Sequence, residues 1–214
     1  MKLLIYWIGK SCVWLYLHAL FRFQVKGRDN IPRRGGLLLA SNHLSAYDPP
    51  VVGCVIPRPA YFLAKQELFN NPLKELIMTL ARCIPVDRAD VGRDTLQRIN
   101  TLLQKQQAIL LFPEGTRSRD GELRRGKDGV GMIAAHNQVD VVPVHVAGLF
   151  RVHGSIFRRP RISISFGQPV SASQWLNNGT TLPRRELYHA ITAAVFDRIR
   201  ELGKAHEQRP MPVA

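Results

Sequence analysis

Apolar residues fall into two rhythms along this chain. Gly36-Leu37-Leu38-Leu39-Ala40 is a short unbroken apolar run bounded by glycines, the pattern of a strand buried on both faces. Similar runs occupy 60–63, 108–112, 139–146 and 162–166, whereas Phe23-Gln24-Val25-Lys26-Gly27 alternates like an edge strand. Between the runs, apolar positions recur at helical spacing. Asn71-Pro72 opens one such stretch, with Leu73, Leu76, Ile77 and Leu80 on one face. Leu96, Ile99, Leu102 and Leu103 mark a second, and 132–135 a short third. Leu187, Ile191, Val195, Ile199 and Leu202 form a long stripe near the C-terminus. Strands alternating with helices predict an α/β fold, a single domain with a largely parallel central sheet flanked by helices. Pro143, inside one run, requires a bulge or an edge position because it lacks an N–H.

The first residues depart from both rhythms. Residues 3–21 are mostly apolar but are interrupted by Gly9, Lys10 and His18. They form no uninterrupted core followed by a small-residue cleavage site, so a secretory signal is not expected. They are also marginal for a spanning helix, which needs about 20 apolar residues. Trp7, Trp14, Tyr6 and Tyr16 favour a bilayer–water boundary, and Lys10 can extend to headgroups. A helix lying in a membrane interface is therefore expected over 1–22, followed by a catalytic domain over 23–204 and a flexible tail over 205–214.

A chain of 214 residues with 45% apolar content can bury a substantial core, but its formal charge of +14 is unusual. Basic residues gather at 22–34, 117–127 and 151–161 without a nucleic-acid motif or interleaved stacking aromatics, so nucleic acid is not the expected partner. An anionic membrane surface accounts for all three groups. Cys12, Cys54 and Cys83 show no metal or C-x-x-C spacing and sit among apolar residues, which predicts buried free thiols on a reducing, cytoplasmic side. The histidines outside the motif below form no ligand cluster, so no metal is expected.

Two motifs carry candidate chemistry. Asn42-His43-Leu44-Ser45-Ala46-Tyr47-Asp48 follows a buried run, which places His43 near the strand's carboxyl end, where ligands bind in open α/β sheets. A carboxylate beside an imidazole fixes its tautomer and stabilises the imidazolium formed on proton transfer. Within one continuous helix the two side chains would diverge by about 140°, so pairing requires a bend. Asp48 precedes Pro49-Pro50 and also reads as a plain helix cap. Phe112-Pro113-Glu114-Gly115-Thr116-Arg117-Ser118 follows another buried run. Its glycine permits a tight loop, and Arg117 offers a planar fork for phosphate. The plainer reading is a surface turn with a Glu114–Arg117 ion pair. Together the motifs suggest deprotonation of a hydroxyl on a phosphate-bearing substrate. No G-x-S-x-G nucleophile context is present, which favours direct attack over an acyl-enzyme.

These residues, with Ile84-Pro85-Val86-Asp87-Arg88, Val141-Val142-Pro143-Val144 and Lys65 in order, make the chain resemble the 1-acylglycerol-3-phosphate acyltransferase family from about residue 24 to about 170. The resemblance implies a fatty acyl group moved from acyl-CoA or acyl-carrier protein to the free hydroxyl of lysophosphatidic acid, giving phosphatidic acid, with no cofactor. It implies His43 and Asp48 as the catalytic pair. It also implies Arg88 and the 112–118 block, with Glu114, Gly115, Thr116 and Arg117, around the glycerol phosphate. Lys65 matches a further basic position, and is otherwise an exposed strand-end lysine. A role for 141–144 in an acyl pocket comes only through the resemblance. Another lyso-lipid acceptor would leave the same motifs, and water in place of the acceptor would make a thioesterase. A non-catalytic basic protein that binds anionic lipid or nucleic acid would not need the His43–Asp48 pair.

Overall fold

The computed structural model describes residues 1–87, 92–118, 120–124, 126–149, 161–177 and 182–207. In chain order these form α1 (Lys2–Leu20), β1 (Arg22–Lys26), β2 (Leu37–Ser41), α2 (Asp48–Gly53), β3 (Ala60–Lys65), α3 (Pro72–Leu80) and β4 (Cys83–Val86). They continue with α4 (Arg93–Gln104), β5 (Ala108–Leu111), α5 (Gly129–Asn137), β6 (Asp140–Ala147), β7 (Arg161–Phe166), α6 (Ala172–Asn177) and α7 (Arg184–Glu207).

The seven strands form one sheet in the order β1-β7-β6-β2-β5-β3-β4. Every pairing is parallel except β6 with β7. β2 lies at the centre, and all five of its residues are buried. Alternation along the strands sends Leu37 and Leu39 to one face and Leu38 and Ala40 to the other. The first face packs with Leu110, Val142 and Val144 against α1 and α2 through Leu17, Val51 and Val52. The second packs with Ile109 and Leu111 against α4, α5 and α7 through Ile99, Ile133, Ile191 and Val195. The continuous apolar runs thus serve a sheet covered on both sides.

Several details differ from the sequence reading. Pro143 sits in β6, an interior strand, paired with Ala40 of β2. Its carbonyl accepts from the Gly167 N–H at 2.8 Å, just beyond the end of β7. The N–H and C=O of one strand residue face the same neighbour, so the missing donor falls where β7 has ended. The helix stripe of α3 faces outward. No residue of α3 is buried, and Leu73, Leu76 and Ile77 are 65%, 53% and 50% exposed. Cys12 is exposed on α1, while Cys54 is buried and Cys83 partly so. The last helix runs to Glu207, past the expected start of the tail at 205, and 208–214 lie outside the described residues.

α1 lies along the domain. Tyr6 Oη accepts from the Ala60 N–H at 3.3 Å, Lys10 Nζ donates to the Ile56 carbonyl, and Leu17 is buried. Val13 packs against the same core, whereas Leu3, Leu4, Trp7, Ile8, Trp14, Leu15 and Tyr16 are all exposed.

Candidate active site

His43 follows β2 by two residues, and Glu114 follows β5 by three. The two strands are parallel neighbours, so both side chains emerge at the same carboxyl edge of the sheet. Chain reversal at 44–47 supplies the bend that the His43–Asp48 spacing demanded. Asp48 Oδ2 accepts from His43 Nδ1 at 2.7 Å, from the Leu44 N–H at 2.6 Å and from the Ser45 N–H at 2.8 Å. The carboxylate therefore folds its own turn and holds the imidazole at once. Asp48 is the first residue of α2, followed by Pro49 and Pro50, and does not cap it. Tyr47 is the N-cap, without a side-chain cap bond, and the Asp48 carboxylate turns back to the N–H groups that precede the helix.

With a carboxylate as acceptor, Nδ1 carries the proton and Nε2 is left with its lone pair. His43 and Asp48 are both buried. The imidazole stacks on Phe112, ring centroids 4.1 Å apart at an interplanar angle of 23°. Its plane is thus fixed from one side by a ring and from its edge by a carboxylate.

Glu114 does not pair with Arg117. Its Oε1 accepts from the His43 N–H at 2.8 Å, and its Oε2 from the Arg124 N–H at 3.1 Å. Burial pushes the Glu114 carboxyl up, and the N–H bonds from Arg124 and His43 pull it partly back. Ser118 N–H donates to the His43 carbonyl at 2.8 Å, and Lys127 N–H to the Pro113 carbonyl at 3.0 Å. Glu114 and Ser118 thus tie their loop to the histidine's own backbone on both sides. Gly115, at φ 73°, makes the turn that a residue with a Cβ would resist.

The imidazole opens onto a cavity of ≈ 230 Å³ whose walls are mainly apolar, among them Leu63, Ile99, Leu111, Val130 and Ile133. Gly115 and Lys127 stand at the same cavity, and the Lys127 chain lies 3.6–3.9 Å from where a Gly115 Cβ would be. Thr116 and Arg117 are exposed beyond it. Lys65 ends β3, but its amine pairs with Glu67 at 2.8 Å, and both side chains are more than half exposed. It is an exposed strand-end lysine that is not drawn into the cluster. Arg88 lies outside the described residues. Among the described residues, no group of His, Cys, Asp and Glu is disposed to hold a metal ion.

Four positions that shape the candidate site had no separate reading in the sequence. Phe112 stacks on the His43 imidazole, Lys127 lines the cavity, and Ser118 pins the His43 carbonyl. Asn42 clamps β2 to β6 through both amide atoms, at 2.9 Å to the Val146 carbonyl and 2.7 Å from the Val146 N–H. All but Lys127 stood inside the motifs, yet residue type alone did not reveal their partners.

A buried histidine–carboxylate pair thus stands at the rim of an apolar cavity, beside a basic loop. The family model "Acyltransferase" matches residues 22–147, more than half of the chain, and the chain belongs to that family. It is 27% identical over 187 residues to the 1-acyl-sn-glycerol-3-phosphate acyltransferase of Bacillus subtilis, covering 86% of this chain and 90% of that one. It is 28% identical over 179 residues to the enzyme of the same name from Limnanthes douglasii, covering 78% of this chain and 60% of that one. The crystal structure of the 1-acyl-sn-glycerophosphate (LPA) acyltransferase PlsC from Thermotoga maritima superposes with a TM-score of 0.71 at 25% identity, covering 99% of this chain and 81% of that one.

Proposed function

We propose that the protein transfers a fatty acyl group from a thioester to the free hydroxyl of lysophosphatidic acid, giving phosphatidic acid in phospholipid biosynthesis. The observation that carries the reading is the free Nε2 of His43, buried at the mouth of an apolar cavity, with its Nδ1 held by Asp48. The acceptor hydroxyl gives its proton to Nε2 while its oxygen attacks the thioester carbonyl carbon. The tetrahedral intermediate collapses, the C–S bond breaks, and the imidazolium returns the proton to the thiolate. General-base assistance of this kind is worth roughly 10²–10⁴-fold.

The apolar walls suit the acyl chain of the donor, either acyl-CoA or acyl-carrier protein. Arg117 and Lys127 suit the acceptor's phosphate, Arg117 through its planar fork. We also infer attachment to the cytoplasmic face of an anionic membrane through α1. A helix fastened to the domain at Tyr6, Lys10 and Leu17 cannot cross a bilayer without taking the domain along. It can lie in one leaflet with its tryptophans at the boundary. The three free cysteines suit the reducing side of that membrane.

The test is to incubate the purified protein with a labelled acyl thioester and a panel of lyso-lipids. Labelled phosphatidic acid formed from lysophosphatidic acid supports the reading. Transfer to a different lyso-lipid, or release of free fatty acid alone, overturns the acceptor assignment.

A further inference from the structure

A second apolar cavity, of ≈ 340 Å³, lies between α1, α2 and α3, on the face of the sheet opposite the cavity at His43. Val13, Cys54, Phe62 and Ile77 are among its walls, and Gly9 and Lys10 border it from α1. The acyl-transfer chemistry makes no use of it.

Gly9 sits in the middle of a 19-residue helix, where glycine is the poorest choice short of proline. Close approach by a neighbour is the usual reason to accept it. Here that reason is missing, because a Cβ at Gly9 would meet nothing within 4 Å. Gly9 is exposed and borders the cavity, and without a side chain it leaves the space beside it open. The next residue supplies charge. Lys10 Nζ donates to the Ile56 carbonyl and lies 4.6 Å from the centre of the Trp7 ring, while Arg28 Nε donates to the adjacent Val55 carbonyl at 2.8 Å. Burial, then the nearby Arg28 charge, lowers the Lys10 amine to about 8. An anion beside it would favour the charged amine and work against both causes. The cavity also adjoins the exposed apolar surface formed by α1 and by Leu73, Leu76 and Ile77 of α3, the surface a bilayer would meet.

We propose that this cavity is a binding site, separate from the catalytic one, for a hydrocarbon chain of an anionic bilayer lipid, with Gly9 leaving the space for the chain and Lys10 meeting the headgroup. A lipid so held would fasten α1 and α3 to α2, the helix that begins with Asp48.

The test uses the full chain in mild detergent with equal phosphatidylglycerol and phosphatidylcholine, and native mass spectrometry to count retained lipid. One phosphatidylglycerol per chain is expected, in preference to phosphatidylcholine. Gly9→Leu should lower its retention at least fivefold while the melting temperature stays equal or rises, since leucine favours the helix. Lys10→Gln should abolish the headgroup preference. His43→Ala should retain the lipid in full, which separates this site from the reaction. Undiminished retention in Gly9→Leu, equal retention of the two lipids by the parent, or loss in His43→Ala overturns the proposal.

Discussion

The Glu114 carboxylate binds the backbone N–H of His43 at 2.8 Å, across 71 residues of sequence. The acidic residue of the second motif therefore positions the histidine of the first. Its other oxygen holds the Arg124 N–H, so it also shapes the loop that presents Gly115, Thr116 and Arg117. The two motifs work as a single unit.

Replacing Glu114 by Ala leaves two partly or fully buried N–H groups unpaired. Each such loss costs about 1–3 kcal/mol, so a marked drop in melting temperature is expected along with lost activity. Glu114→Gln keeps an acceptor for one N–H and presents a donor to the other, so an intermediate loss is expected. The ionisation has a sign of its own. Burial raises the Glu114 carboxyl above 4.5, so the stability tied to its protonated form is present below the unfolded value and fades as pH rises through the folded one. Denaturant titrations from pH 4 upward should therefore show the parent losing ground relative to Glu114→Gln.

Asp48→Asn keeps the size of the side chain but removes the charge that stabilises imidazolium. Its amide can also turn a donor toward Nδ1 and favour the wrong tautomer. A fall in kcat of roughly 10²–10⁴-fold, with KM for the acceptor little changed, is expected in steady-state assays of the folded variant.

The basic residues should separate by position. Arg117→Ala should raise the acceptor KM several-fold, and Arg117→Lys should recover only part of the loss, because lysine lacks the fork. Lys65→Ala should have less effect, since that amine already pairs with Glu67 in solvent. Equal effects of Arg117→Ala and Lys65→Ala on KM would contradict this order.

Thiol labelling at pH 7.5 should mark Cys12 first. Burial raises Cys54 and Cys83 to about 11, which leaves little thiolate, whereas Cys12 is exposed on α1. Mass spectrometry of the labelled chain over time checks this directly.

Much of the fold was legible because a doubly covered sheet writes its strands as unbroken apolar runs. Six of the seven strands announced themselves in this way or by alternation. β4 did not: it has four residues, one of them Pro85, and lies at the sheet edge. The start of α2 was legible only as a helix cap at Asp48, whereas the helix itself begins at that residue. The stripe of α3 was legible as a helix, but periodicity cannot say whether a face meets protein or lipid. In the site, the His43–Asp48 pair and the need for a bend between them were visible from spacing. The Glu114–His43 bond was not, because it depends on β2 and β5 being neighbours, a fact of topology rather than of local pattern.

His43→Ala tests the account most directly. Purified variant and parent should be given the same labelled acyl thioester and lysophosphatidic acid, after circular dichroism and melting have shown both to be folded. The account predicts phosphatidic acid formation reduced at least 10²-fold, as expected for loss of a general base. A folded variant that retained more than about a tenth of the parental rate would contradict it, because the proton would then have another acceptor.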